Sequence, residues 1–114
     1  MHELGTVVYI IDSVEKICKE QGLTTVESVT VEIGEVSAII PEYIVDYYNW
    51  SKKKSEYLKD SEIIVENLPA VTYCQDCKKT YPTVEYGKEC PYCKSGNTFL
   101  ITGNEYNIKQ IVAM

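Results

Sequence analysis

Two short cysteine pairs, Cys74-Gln75-Asp76-Cys77 and Cys90-Pro91-Tyr92-Cys93, stand twelve residues apart and limit what this stretch of the chain can become. Each Cys-x-x-Cys brings two thiols together on one tight turn. Two such turns facing each other supply a tetrahedral cage of four sulfurs, which zinc prefers, at about 2.3 Å per Zn–S contact. Four thiolates fill that shell and leave no open position for a substrate, so a zinc hydrolase is set aside. The segment from Thr72 to Thr102 is also too short for a core of its own, since chains below roughly 40 residues usually need a metal or disulfide staple. Metal binding then becomes folding energy, on the order of 10 to 16 kcal/mol for structural zinc in peptides.

Two other readings compete, a dithiol redox pair and an iron–sulfur site of the rubredoxin kind. A thioredoxin-like pair needs one motif at the start of a helix in a βαβ unit, whereas both motifs here sit among turn residues. The zinc content of the purified protein separates a redox dithiol enzyme from a structural site. The fifth cysteine, Cys18, falls on the apolar face of a predicted helix and reads as an inert core thiol.

The 114 residues suit a single domain, and 45% hydrophobic with 25% charged residues is ordinary globular composition. No apolar run approaches the roughly 18 to 20 residues that cross a bilayer, and Met1-His2-Glu3 lacks the basic opening of a secretory signal. A cytoplasmic chain is the expectation, and disulfides are rare in that compartment, which favours metal binding for the cysteines. The net charge of −6, from 17 acidic and 11 basic residues, repels phosphate backbones and argues against nucleic acid. Lys52-Lys53-Lys54 reads as a solvated helix end.

Apolar residues Leu4, Val7, Val8, Ile11, Val14 and Cys18 recur at three- and four-residue steps, predicting an amphipathic helix that Gly22 stops. The period then changes to two: Val29, Val31 and Ile33 alternate with Ser28, Thr30 and Glu32 in a half-buried strand ending at Gly34. Pro41 can open a second helix that runs to the lysine cluster and buries Ile44, Tyr47, Tyr48 and Ser51, with Val45 or Trp50 at its margin. Further strands are predicted at 62–68 and 106–112. Because the strand pattern resumes after the cysteines, the expected fold class is α+β. The last strand can pair back onto the first domain, which makes the cysteine module of 71–103 an excursion from a domain of 1–70 and 104–114. Tyr73, Tyr81, Tyr86 and Tyr92 are expected to cover that module.

His2 is the sole histidine and follows the initiator directly. A bulky second residue preserves Met1, whose α-amine, with a pKa near 8, yields its proton to a competing metal at neutral pH. The amine, the amide nitrogen of His2 and its imidazole form fused chelate rings around one cation, and the amide of Glu3 completes a planar nitrogen set. Such a set suits square-planar Ni(II) or Cu(II) and fits tetrahedral zinc poorly. The plain alternative is an exposed terminus with no role.

Met1-His2-Glu3-Leu4, Val31-Glu32-Ile33-Gly34-Glu35-Val36-Ser37, the four cysteines and Gly103-Asn104-Glu105-Tyr106-Asn107-Ile108-Lys109 occur in this order, and with them the chain resembles the HypA/HybF hydrogenase nickel-insertion family over essentially its whole length. The resemblance implies a nickel-binding α/β domain of two helices packed on a three-stranded sheet, with an inserted zinc-knuckle domain. It further implies a metallochaperone without catalysis of its own, delivering Ni(II) to the large subunit of a nickel–iron hydrogenase together with a nickel-binding GTPase. His2 matches the family's nickel-ligating histidine, Glu3 its neighbour with a contributing amide, and Cys74, Cys77, Cys90 and Cys93 the zinc ligands. Where some members carry an acid able to approach nickel, this chain has Ile39 and Ile40, with Glu42 the nearest acid; it also lacks histidines beside the cysteine pairs. A different class of function is a zinc-ribbon adaptor that binds other proteins and carries no nickel.

Overall fold

The computed structural model describes residues 2–114, apart from the side chain of His2; the Met1 amine and the His2 imidazole lie outside the described residues. Helix α1 spans His2–Gln21, strand β1 Val26–Gly34, helix α2 Pro41–Ser51, and a 3₁₀ turn Lys52–Lys54 follows. Strands β2 (Glu62–Leu68), β3 (Val71–Cys74) and β4 (Thr80–Pro82) lead into a one-turn helix α3 (Thr83–Tyr86), then β5 (Thr98–Thr102) and β6 (Tyr106–Ala113). The strands form two three-stranded sheets, β2-β1-β6 and β4-β3-β5. The predicted α+β class holds, and the knuckle module carries a sheet of its own that the sequence periodicity did not reveal.

The chain divides into two compact units, one of 1–32, 39–66 and 107–114, the other of 33–38 and 67–106. In the first unit α1 packs on α2. The helix ends where glycine permits: Gly22 takes φ 68° and the Leu23 amide donates to the Cys18 carbonyl at 2.9 Å, closing a Schellman turn. The core holds Val7, Ile10, Val14 and Cys18 of α1, Val29 and Val31 of β1, Ile44 and Tyr48 of α2, and Leu58. Thr25 and Met114 exchange both backbone hydrogen bonds, at 3.0 and 2.9 Å, the signature of antiparallel pairing between the start of β1 and the end of β6.

The expected face of α1 is buried at Val7, Ile11, Val14 and Cys18 and half-buried at Leu4, and it differs from expectation at one member. Val8 is exposed, while Ile10, Thr6 and the Glu3 side chain are buried. Ile10 continues the same three- and four-residue steps, and at the head of this face the Glu3 carboxylate accepts the Ile40 amide at 3.1 Å, at the entry to α2. On α2 only Ile44 and Tyr48 are fully buried; Tyr47, Ser51 and Val45 are half-buried, and Trp50 stands exposed with the Lys54 ammonium 5.2 Å over its ring. Nor is the lysine cluster wholly solvated, because Lys52 Nζ donates to the Ser61 carbonyl at 2.6 Å. A polar network closes this end of the unit. Tyr48 and Ser61 hydroxyls lie 2.5 Å apart, Ser61 Oγ donates to the Leu58 carbonyl at 2.6 Å, and Ser55 Oγ donates to the Glu15 carboxylate at 2.7 Å. Cys18 is fully buried, and burial, then the Glu15 charge, pushes its thiol up, as suits a core residue.

In the second unit β3 is central, antiparallel to β4 and to β5, with Tyr73 opposite both Thr80 and Phe99. The Glu35 amide donates to the Leu68 carbonyl at 2.8 Å, the Val36 amide to the Gly103 carbonyl at 2.8 Å, and the Ala70 amide to the Glu35 carboxylate at 2.8 Å. Gly34 is required by this crossing, since a Cβ there would enter the Gly103 carbonyl. Gly103 has φ 114° and a Cβ there would lie 2.5 Å from the Ala70 side chain. These approaches explain two glycines that periodicity reads only as stops.

Candidate metal centre

Strand β3 ends at Cys74, and the chain turns at once. The Lys78 amide donates to the Cys74 carbonyl and the Cys74 amide to the Lys79 carbonyl, both at 2.9 Å. The second pair repeats this turn: the Lys94 amide donates to the Cys90 carbonyl and the Cys90 amide to the Ser95 carbonyl, again at 2.9 Å. The residue after each second cysteine takes the left-handed conformation, Lys78 at φ 62° and Lys94 at φ 64°. Such turns aim backbone amides at the sulfurs: Lys79 at Cys77, Tyr92 and Cys93 at Cys90, and Ser95 at Cys93.

The four sulfurs lie within 4.8 Å of one another, with Cys74–Cys93 and Cys77–Cys90 each 3.6 Å apart. Sulfurs placed tetrahedrally at about 2.3 Å from a common centre are separated by about 3.8 Å. The donor set therefore fits a tetrahedral ion with a preference for thiolate, and amide hydrogens aimed at the sulfurs favour their charged form. Cys74 and Cys90 are fully buried, Cys77 is half-buried and Cys93 exposed.

The thiols differ in acidity. Burial pushes Cys90 up, but the Cys93 and Tyr92 amides and the Cys77 and Cys93 side chains outweigh it and bring this thiol down to about 7. At Cys93 the Ser95 amide pulls down, yet loss of water and the neighbouring Cys74, Cys90 and Cys77 thiols carry it up to about 12. Cys77 is raised, first by burial. The metal-free cluster thus holds protons at neutrality that a cation displaces.

Tyr81 is the main non-cysteine side chain of this small core. It is buried with Cys74 and Cys90, its hydroxyl donates to the Gly87 carbonyl at 2.9 Å, and its ring meets Tyr86 edge-on at 6.1 Å. Of the other expected tyrosines, Tyr73 is half-buried with its ring centroid 5.4 Å from that of Phe99, while Tyr86 and Tyr92 are exposed, the latter under the Lys79 ammonium at 4.8 Å. Sequence reasoning missed the bridge between the turns. The Asp76 carboxylate accepts from the Ser95 hydroxyl and, at 3.3 Å, from the Asn97 amide group, and the Gln75 backbone amide donates to the Asn97 carbonyl at 3.0 Å. The Ser95 and Asn97 contacts hold the Asp76 carboxyl below its usual range. The one available signal was the Cys-x-x-Cys-Lys repeat, which marks two copies of one turn.

The profile of a family described as "Hydrogenase/urease nickel incorporation, metallochaperone, hypA" matches residues 1–113. The chain belongs to the HypA family. HypA hydrogenase maturation factors of Geobacter metallireducens and Geotalea daltonii are each 30% identical to it, over 112 residues (97% of both chains) and 115 residues (100% of both). The solution structure of the nickel metallochaperone HypA from Helicobacter pylori superposes with a TM-score of 0.74 at 25% identity, covering 98% of this chain and 97% of that one. A second HypA solution structure gives 0.77 at 27%, covering 100% and 97%. HypA proteins form a family of metallochaperones for hydrogenase maturation, not of enzymes. No helix among the described residues is long and apolar enough to cross a membrane.

Proposed function

We propose that this chain binds Ni(II) at its N-terminus and delivers it to the large subunit of a nickel–iron hydrogenase, in the cytoplasm and in cooperation with a nickel-binding GTPase. The nickel ligands are the Met1 amine, the amides of His2 and Glu3, and the His2 imidazole. Residues 1–70 and 104–114 serve nickel, and 71–103 is held by zinc on Cys74, Cys77, Cys90 and Cys93. The observation that carries this reading is that a nickel-incorporation family match running from residue 1 covers Met1-His2-Glu3, with α1 opening at His2.

Physical chemistry supports the assignment. His2 and Glu3 stand in the first turn of α1, where no carbonyl one turn earlier exists within the helix to accept their amide hydrogens. Replacing those hydrogens by a cation therefore breaks no helical ladder. The Glu3 carboxylate is engaged at Ile40, so Glu3 offers its backbone nitrogen from an anchored residue. Planar nitrogen donors match Ni(II), and an open terminal site exchanges its cargo more readily than a buried cage. Zinc, when bound, supplies a fixed tetrahedral crosslink between the two cysteine turns.

A nickel titration of zinc-loaded protein with a native N-terminus tests the proposal. The wild type is expected to bind about one Ni(II) with a planar spectrum, and His2→Ala or one added N-terminal residue to abolish it. Equal binding by all three proteins would remove the terminal site and leave the protein-binding zinc adaptor as the better account.

A further inference from the structure

The four residues of the cysteine cluster are unequal in access. Cys74 and Cys90 have no exposed surface, Cys77 is half-buried, and Cys93 is exposed. Thiolates react with oxidants in the order that solvent reaches them, provided their charged form is available, and metal ligation supplies that form. The sulfur paired with Cys93 is that of Cys74, 3.6 Å away, whereas Cys77 and Cys90 pair with each other at the same distance. Both close pairs run between the two turns.

We propose that Cys93 is a modification site at which hydrogen peroxide opens the metal centre, with Cys74 as the resolving thiol. The proposal rests on the reading of the four cysteines as a zinc site. The Cys93 thiolate attacks one peroxide oxygen, forming a sulfenic acid and releasing hydroxide. The Cys74 thiolate then attacks the Cys93 sulfur; an S–S bond forms and a second hydroxide leaves. The two sulfurs together lose two electrons, the peroxide gains them, and two protons from solvent turn the hydroxides into water. Zinc, stripped of two of its four ligands, passes to any competing chelator.

The second step is fast only if Cys74 and Cys93 stay face to face while the remaining sulfurs still hold the ion. Contacts beside the metal ligands add to that hold. The Gln75 amide donates to the Asn97 carbonyl at 3.0 Å, the Asp76 carboxylate takes the Ser95 hydroxyl and the Asn97 amide group, and β3 pairs with β5 through Cys74 and Thr98. Two groups held in this way react as if at very high local concentration. The sulfurs need to close by roughly 1.5 Å to reach bonding distance, a movement within reach of side-chain torsions. The disulfide then staples the same two turns that zinc had joined, and thiol reductants reverse it by exchange.

The experiment uses the full chain with its zinc content assayed first. Limiting hydrogen peroxide is added with a chromogenic zinc chelator, free thiols are alkylated, and peptides are mapped without reduction, using fragment ions that separate Cys90 from Cys93. About one zinc should be freed per peroxide consumed, with a Cys74–Cys93 disulfide dominant and Cys77 and Cys90 recovered alkylated. Cys18→Ser should give the same map, and dithiothreitol with zinc should restore the loaded protein. A dominant Cys77–Cys90 or within-turn disulfide, a Cys93 sulfinic acid, or oxidation without zinc loss overturns the proposal while leaving the zinc reading intact. Protein purified under zinc-replete conditions without zinc overturns that reading, and this proposal with it.

Discussion

The two units of this molecule solve the folding problem in different ways. The first buries a conventional apolar core, with Val7, Val14, Val29, Val31, Ile44, Tyr48 and Leu58 almost wholly removed from water. In the second, β3, β4 and β5 bring together Cys74, Tyr81 and Cys90, with Cys77 beside them, and many apolar side chains remain outside, including Val84, Phe99 and Ile101. Burial of that extent does not offset the conformational entropy of ordering some forty residues, a cost of roughly 1 to 2 kcal/mol each for the backbone alone. A metal crosslink on the four cysteines would supply what that burial lacks. Each unit therefore has its own point of failure.

The largest effect should come from removing zinc. Chelation is expected to cost the second unit on the order of 10 kcal/mol and to unfold it, while the first keeps its core. Hydrogen exchange read by mass spectrometry should show amides of β3 and β5 losing protection and those of α1 and β1 keeping theirs. Uniform loss, or none, would erase the contrast between the units.

The reciprocal perturbation is smaller. Ile44→Ala, at a fully buried site on α2, should destabilise the first unit by about 2 to 5 kcal/mol in denaturant unfolding, with zinc stoichiometry unchanged. A parallel loss of zinc would show that the units do not fail separately.

Acidity sharpens the comparison further, since only the second unit depends on thiolates. With Cys93 carried up to about 12 and Cys77 also raised, metal binding must displace protons near neutrality. Lowering pH restores those protons and opposes the metal; raising it does the reverse. Apparent zinc affinity, measured by competition with a chelator of known proton dependence, should rise at least about tenfold per pH unit between roughly pH 6 and 8. A flat profile would contradict the protonation states inferred for the free cluster.

The smallest effect concerns the repeated turn. Lys78 and Lys94 occupy the left-handed region at φ 62° and 64°, a conformation that costs an L-residue about 1 to 2 kcal/mol and glycine little. Lys78→Gly or Lys94→Gly should leave the zinc-loaded second unit about as stable or up to about 1 kcal/mol more so, by thermal unfolding. A clear loss would mean the lysine side chains contribute more than the backbone strain removes.

Much of this was legible in the chain itself. The change of period from α1 to β1, Gly22 and Pro41 as boundaries, and the resumption of a strand after the cysteines are local signals written in residue spacing, and they place the elements. The paired Cys-x-x-Cys turns gave the cluster, because two adjacent tight turns with matched donors leave few other uses. Less legible were the Glu3 anchor at Ile40, the Asp76 bridge to Ser95 and Asn97, and the approach of Gly34 to Gly103. Each joins residues distant in sequence through a polar group or a bare Cα, which leaves no apolar period behind.

Sequence by itself determined the order of helices and strands in the first unit and the cysteine donor set, because each depends on residue type and short-range spacing. Tertiary structure alone decided that Glu3 anchors α1 at the entry to α2, which two glycines admit no side chain, and which of four equivalent cysteines meets solvent. Those outcomes follow from long-range packing, which joins residues distant in sequence as the hydrogen bond joins Glu3 to Ile40.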